Sequence, residues 1–333
     1  LEAALESTPA RVAERKREEA RPYPGLSAVT EADAERFFGR EEEVAALWRK
    51  VPERSLLALI GPSGAGKTSF VRAGLVAHAP PRWRCLVATP GQAPFAGVAR
   101  ALAPFFAGDV EVTQQLIDFH RPEVGPALVA RWAEGCDGAL VVVDQAEELF
   151  TLNGEEVQAR FAELLGRLAE LPGVHVLLSL RDDFLFRCSA YPQLQGVFES
   201  LTPLRPPEGP ALRRALVEPA RRLGFAFEDE ALVDEMLAAV EGERGALPLL
   251  AFAVSRLWEE RDRDRPLLPR EAYLQVGGVA GALAQHAEAT LERLGEGCVP
   301  LVRELFRNLA TGQQTRCVRE WDELLSVFPV EQR

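Results

Sequence analysis

The stretch Gly61-Pro62-Ser63-Gly64-Ala65-Gly66-Lys67-Thr68-Ser69 constrains this chain more than any other. It is G-x-x-x-x-G-K-[ST] in full, and its flanks have the right character. Leu56-Leu57-Ala58-Leu59-Ile60 before it is a short apolar run suited to a buried parallel strand. Ser69-Phe70-Val71-Arg72-Ala73-Gly74-Leu75 after it places apolar residues at helical spacing. Strand, glycine-rich loop and helix are the three parts a phosphate-binding loop needs. Gly61, Gly64 and Gly66 would let backbone N–H groups turn inward around phosphate oxygens, where a Cβ would interfere. The helix N-terminus adds its partial positive charge at the same point. Lys67 is expected at the β- and γ-phosphates, and the Thr68 hydroxyl on Mg²⁺. The pattern predicts a nucleoside-triphosphate site.

Length and composition narrow the rest. A chain of 333 residues is too long for one compact core, so two or three domains are expected. The net charge of −12 argues against a nucleic-acid partner, and no basic run is interleaved with aromatics. Cys85, Cys136, Cys188, Cys298 and Cys317 are scattered without a C-x-x-C pair, which reads as reduced thiols of a cytoplasmic protein. No apolar run approaches the ~20 residues that span a bilayer, and no signal peptide is visible. Leu1 opens the chain and Met236 is its only methionine, so the chain reads as a piece of something longer.

In order, residues 1–20 are rich in Ala, Glu and Arg and make a solvated helix or linker. Pro22 and Pro24 break any helix there. Thr30 and Asp33 suggest a capping box opening a short helix, with Asp in place of the usual Glu or Gln. Phe37-Phe38-Gly39-Arg40-Glu41-Glu42-Glu43 then leads into an amphipathic helix carrying Val44, Leu47 and Trp48. A second strand is expected at Cys85–Thr89, with helices at about 95–106, 112–119 and 126–133. Ala139-Leu140-Val141-Val142-Val143-Asp144 is an apolar strand ending in an acid. Downstream of a phosphate loop, Asp144 is placed to hold Mg²⁺. A helix over 155–171 presents Val157, Phe161, Leu164, Leu165 and Leu168 to the sheet. Val174–Leu180 is another buried strand, ending in Arg181-Asp182-Asp183-Phe184. Ligands bind beyond the carboxyl ends of such strands, so Arg181 is aimed at a γ-phosphate; the alternative is a surface arginine paired with Asp182 or Asp183. His175 lies inside the strand as a core residue. Leu201–Leu204 is a candidate fifth strand.

From Gly209 the pattern turns wholly helical, with three helices at about 210–223, 229–240 and 249–260. Pro248 suits the first turn of the third. Arg261–Pro266 reads as a charged, exposed connection. Helices near 279–294 and 300–309, a short Thr315–Val318 strand and a helix from Glu320 resemble a winged-helix unit cut short. The expected organisation is an α/β parallel-sheet P-loop NTPase domain over 21–205, a helical domain over 206–262 and a partial winged-helix domain over 263–333.

These elements recur together in one group. The Gly-Arg-Glu element at Phe37–Glu43, the phosphate loop, Asp144-Gln145-Ala146-Glu147-Glu148, Arg181-Asp182-Asp183-Phe184 and Leu247-Pro248-Leu249-Leu250 resemble the AAA+-like STAND ATPases (signal-transduction ATPases with numerous domains), nearest to the bacterial novel-STAND group. Pro22-Tyr23-Pro24-Gly25-Leu26, Gly277-Gly278-Val279 and Gly281-Ala282-Leu283 match as well, so the resemblance covers residues 21 to 327. It implies an ATPase core, helical and winged-helix domains folded over ATP or ADP with Mg²⁺, self-association on activation, and effector and sensor domains outside this chain. By position it places Phe38, Gly39 and Arg40 against the nucleotide, Gly61 and Ser63 through Ser69 around the phosphates, Thr68 and Asp144 at the metal, Arg181 at the γ-phosphate and Pro248 on adenine. The family's Gly-x-Pro is one residue longer here, as Gly245-Ala246-Leu247-Pro248. Its histidine contact from the winged-helix domain has no match, His286 lying too early.

In many related ATPases a glutamate directly follows the Mg²⁺-holding aspartate. Here that place is Gln145, a poor proton acceptor. The carboxylates at hand are Glu147 and Glu148, of which one is expected to face the phosphates, Glu147 by the family's pattern. The alternative is an acid that merely complements a helix dipole. Slow hydrolysis follows from the first reading. Rivals are a non-hydrolysing adaptor, a P-loop kinase and a DNA-binding winged helix. An L-S-G-G-Q signature and a guanine-reading N-K-x-D are both absent from the sequence.

Overall fold

The computed structural model of the chain describes residues 21–107, 109–242, 245–309, 321–326 and 328. Five parallel strands form the main sheet: β1 Leu56–Gly61, β2 Trp83–Ala88, β3 Gly138–Val143, β4 Val174–Arg181 and β5 Leu201–Pro203. Their spatial order is β2-β3-β4-β1-β5. The strands are apolar throughout because both faces are covered; every residue of β3 is buried. Side chains alternate between the two faces. Leu57, Leu59, Leu140, Val142 and Leu177 share one core, and Leu56, Ala58, Val141, Val176 and Leu178 the other.

On the first face lie α1 (Glu41–Lys50) and α2 (Lys67–Ser69, continued by the π-wound Phe70–Val76). Helix α1 begins with three glutamates and ends in Arg49 and Lys50, matching its dipole. It buries Val44, Leu47 and Trp48, and the Trp48 indole N–H donates to the Leu75 carbonyl at 2.9 Å. The second face is covered by α3 (Pro94–Leu102), α4 (Val110–Ile117), α5 (Val124–Ala133) and α7 (Glu155–Ala169), with the short α6 (Glu147–Leu152) following β3. Four of the five apolar positions read on α7 are buried there, Val157 only in part. Strand β4 lies between β1 and β3, and its register pairs Gly61 with Arg181 and Val143 with Leu178. The loop after β1, the acid after β3 and the arginine ending β4 therefore meet at one edge.

The second unit comprises α8 (Gly209–Arg222), α9 (Glu230–Ala238), α10 (Ala246–Glu259), α11 (Arg270–Gln275) and α12 (Gly278–Leu294). A two-residue parallel pairing, absent from the sequence reading, joins β6 (Ala226–Phe227) to β7 (Leu267–Leu268). One core gathers Leu212, Leu216, Met236 and Trp258 with Leu268, Tyr273, Val279 and Ala282, so burial is continuous across residue 262. Tyr23 belongs to this core too, its hydroxyl donating to the Leu216 carbonyl at 2.6 Å.

Two expectations need correction. Arg261 is not exposed: its guanidinium lies 4.4 Å from the Trp258 ring centroid and 5.5 Å from that of Phe225, and it donates to the Trp258 carbonyl. Arginine is the cation best suited to such an aromatic slot; residues 263–266 are exposed as expected. The capping box at Thr30 does not form. Thr30 donates to the Asp33 carboxylate at 2.9 Å, and the short helix Glu31–Arg36 is 3₁₀. Helices α13 (Val299–Leu309) and α14 (Trp321–Ser326) follow. The expected strand at Thr315–Val318 lies outside the described residues, and a winged helix is not shown. Among the described residues no helix is long and apolar enough to cross a membrane.

Candidate nucleotide-binding site

The loop from Gly61 to Ser69 joins β1 to α2. Gly64 and Gly66 have φ of +77° and +82°, the left-handed region that glycine occupies without strain. Gly61 is required for a different reason: a Cβ there would stand 2.3 Å from the Leu204 carbonyl oxygen, which follows β5. Ala65 is fully buried, Ser63 exposed, and Lys67, Thr68 and Ser69 half-buried at the first turn of α2. The amide N–H groups of that first turn have no carbonyl partner within the helix and face outward from its end. Lys67 Nζ donates to the carbonyls of Gly61 at 2.8 Å and Pro62 at 3.0 Å, so the ammonium lies across the loop. Burial pulls its pKa down, opposed by the carboxylates of Glu147, Asp144 and Asp182. The Ser69 hydroxyl instead accepts the Val29 N–H at 3.1 Å, fastening the N-terminal segment to α2.

Asp144 is buried at the end of β3. Its Oδ1 accepts the Ser179 hydroxyl at 2.8 Å, and the Ser179 carbonyl accepts the Ala146 N–H at 2.8 Å. Gln145 between them sits at φ +53°, an uncommon conformation for a side-chain-bearing residue. That reversal swings the chain so that α6 begins at Glu147. Glu147 Oε2 accepts the Arg181 N–H at 3.3 Å. Burial raises its carboxyl pKa, against the opposing pull of Lys67. Glu148 turns away and accepts the Gly91 N–H at 3.2 Å, beyond β2. Of the two acids, Glu147 is on the loop side.

Arg181 makes a two-point contact with Asp183, Nε to Oδ1 at 3.0 Å and Nη2 to Oδ2 at 2.6 Å, and its guanidinium lies 5.4 Å from the Phe184 ring centroid. The pairing weighed as an alternative from sequence is thus present, though Arg181 stands in register with Gly61.

Within the protein, the Phe38-Gly39-Arg40 element packs between the phosphate loop and the segment entering α8. Arg40 is 4% exposed and donates through Nη2 to the carbonyls of Ala65 at 2.8 Å and Arg205 at 2.9 Å. It braces the loop through its backbone and ties it to the segment leading into α8. A Cβ on Gly39 would fall 2.2 Å from the Ala211 carbonyl oxygen of α8. Phe38 is half-buried beside them. From the second unit, Pro248 lies over the loop: a Cβ built on Gly64 would be 3.2 Å from its Cγ. His286 packs edge-on against Phe252 at 5.4 Å.

The arrangement fits a nucleotide phosphate chain with a divalent cation. Glycines in the left-handed region open the cradle, a helix N-terminus faces it, and a lysine and an arginine flank it. Among the described residues no group of three or more His, Cys, Asp or Glu could hold a metal unaided. Thr68 and Asp144 would supply the protein's share of an Mg²⁺ shell completed by phosphate oxygens and water, the usual mode for this ion.

A family model described as Novel STAND NTPase 1 matches residues 22–332. The chain belongs to this family. Its novel STAND NTPase fold is also similar to the Walker-type ATPase of Pyrococcus abyssi, at a TM-score of 0.55 and 17% identity, covering 93% of this chain and 92% of that one. A more distant likeness is to PCH-2 of C. elegans, at a TM-score of 0.46 and 15% identity over 73% of this chain and 68% of that one. No curated protein matches. Membership in the family and the Walker-type fold make this STAND protein a nucleotide-binding NTPase. Sequence reasoning missed Ser179, although a lone serine in Val-His-Val-Leu-Leu-Ser-Leu-Arg was a signal. It also missed Tyr23 as an anchor of the second unit.

Proposed function

We propose that the chain is an ATP/ADP-dependent signalling switch, the nucleotide-binding and self-associating core of a larger protein, with slow ATP hydrolysis. The observation that carries this reading is that Pro248 lies close over the phosphate loop, 3.2 Å from where a Cβ on Gly64 would stand, a placement through which nucleotide state would bear on domain arrangement. A ligand biases two arrangements only through contacts that differ between them. Here those contacts are the γ-phosphate with Arg181 and the base with Pro248.

Lys67 and the loop amides bind the phosphates, Thr68 and Asp144 hold the cation, and Ser179 fixes the carboxylate of Asp144. Mg²⁺ held there would supply charge neutralisation to the phosphates. Glu147 orients the attacking water and accepts its proton at the carboxylate. Hydrolysis at well below the ~10 s⁻¹ typical of enzymes suits a timer. Gln145 beside Asp144 favours a second reading, a non-hydrolysing scaffold, which a single-turnover assay separates from the first.

The test of the main reading is chromatography of nucleotide released by heating the purified protein, with its size in solution measured alongside. ADP on a monomer, converting to a larger species when ATP replaces it, is expected. Bound guanine nucleotide, or assembly indifferent to nucleotide, would refute it.

A further inference from the structure

Arg181 offers one edge of its guanidinium, Nε and Nη2, to the two oxygens of Asp183. The same edge is what a guanidinium presents to two oxygens of a phosphate. Carboxylate and γ-phosphate are therefore alternatives for one set of donors. Phe184 covers a face of the same group, so the side chain is held in place by two neighbours in sequence. Arg181 itself closes β4 in register with Gly61, where the phosphate loop begins, and its charge is near enough to act on Lys67. The pair is solvent-accessible, with Asp183 53% exposed and Arg181 31%. Exposed pairs of this kind are weak enough to be exchanged for a stronger anion.

We propose that Asp183 is a built-in competitor of the γ-phosphate for Arg181, and that it sets how strongly the protein prefers ATP to ADP. The proposal rests on the reading of Arg181 as the γ-phosphate contact. Without γ-phosphate, Arg181 stays on Asp183. With ATP bound, the guanidinium exchanges one fork of oxygens for the other, and the freed Asp183 carboxylate moves into solvent. ADP has nothing to offer that edge and leaves the pair intact. Asp183 is then a specificity-determining residue that touches no substrate atom in the ADP form.

Isothermal titration of the 333-residue chain with Mg²⁺ and either ADP or a slowly hydrolysed ATP analogue tests this. D183N should strengthen binding of the ATP analogue about two- to five-fold, the worth of an exposed pair, and leave ADP affinity unchanged. D183S, which keeps no fork of acceptors, should do the same, and both positions are exposed enough to tolerate the change. R181A should lose the preference for ATP, and R181A/D183N should match R181A. Weaker ATP binding in D183N and D183S would overturn the proposal, because Asp183 would then be aiming Arg181 at the phosphate. Equal gains for ATP and ADP would overturn it as well, reducing the effect to general charge. An unchanged ATP preference in R181A would instead strike the underlying reading of Arg181 and take the proposal with it.

Discussion

Glu147→Gln should move two readouts in opposite directions. Glu147 is held by the Arg181 N–H at 3.3 Å, and burial raises its pKa above the ordinary glutamate range. A carboxyl with a raised folded-state pKa binds its proton more tightly when folded. Its stabilising contribution is complete below the unfolded pKa of ~4.3 and is lost as pH rises through the folded value. At pH 7 the charged side chain therefore costs the nucleotide-free protein stability. Glutamine keeps an oxygen for the Arg181 N–H and removes the charge. A gain of ~0.5–2 kcal/mol, typical when a strained functional residue is neutralised, corresponds to a rise in Tm of roughly 1–5 °C. The gain should shrink toward pH 4, where the wild-type carboxyl is itself protonated. Hydrolysis should fall by ~10²–10⁴, the usual share of a general base, with ATP affinity unchanged. Thermal denaturation at pH 4 to 7 without nucleotide, and single-turnover hydrolysis at pH 7, measure the two effects. Glu148→Gln is the control, since its carboxylate serves the Gly91 amide, and its turnover should stay within a few-fold of wild type. Wild-type turnover in Glu147→Gln, or a lowered Tm at pH 7, would refute the reasoning.

Lys67→Ala removes the ammonium that spans the Gly61 and Pro62 carbonyls, and calorimetry should show ATP affinity falling about ten- to a hundred-fold, the loss of one charge-assisted contact. Tyr23→Phe deletes a buried 2.6 Å hydrogen bond to the Leu216 carbonyl and should cost ~0.5–1.5 kcal/mol in urea denaturation. Gly39→Ala places a Cβ 2.2 Å from the Ala211 carbonyl at a φ of +88°, so α8 must shift; stopped-flow should show faster release of bound nucleotide, with stability down by ~1–3 kcal/mol.

The fold of the first domain was legible because its signals are local. Apolar strands, one complete loop motif and the acid after Val143 each depend on a few adjacent residues, and all five expected strands are present. What was not legible depends on partners far away in sequence. Arg40 reads as a turn arginine until the carbonyls of Ala65 and Arg205 come within reach, 25 and 165 residues away. Arg261 sits in a charged run, and only the Phe225 and Trp258 rings explain its burial. Tyr23 lies between two prolines that signal loop, yet it anchors in a core formed mainly by residues 212–282. In the candidate site the residue types were readable, while the choice of Glu147 over Glu148 came from the family's pattern and not from spacing. Glu147 rather than Glu148 faces the loop because Gln145 turns the chain at φ +53°, a backbone fact no spacing rule contains.

The Gly39-Arg40-Glu41 junction offers a mechanical route by which the position of α8 would reach the phosphate loop. Its three residues bind the second unit with unequal tenacity. Glu41 pairs with Arg214 on the surface of α8, both about half exposed, and such pairs exchange with water at little cost. Gly39 lies against the Ala211 carbonyl by shape alone. Arg40 differs because it is buried, and its Nη1 already lacks a hydrogen bond. Only Nη2 joins the phosphate loop at Ala65 to the segment entering α8 at Arg205. Moving α8 away from the sheet would draw on the Arg205 carbonyl first. A buried guanidinium that lost both acceptors would be stranded at a cost of several kcal/mol, so Arg40 must follow one of them or admit water. If it follows Arg205, it releases the Ala65 carbonyl, and the loop around the phosphates loosens. If it stays with Ala65, opening is resisted in proportion to the burial of Arg40. The first course makes the shape of the phosphate loop depend on where α8 sits, and the second makes the position of α8 depend on the loop.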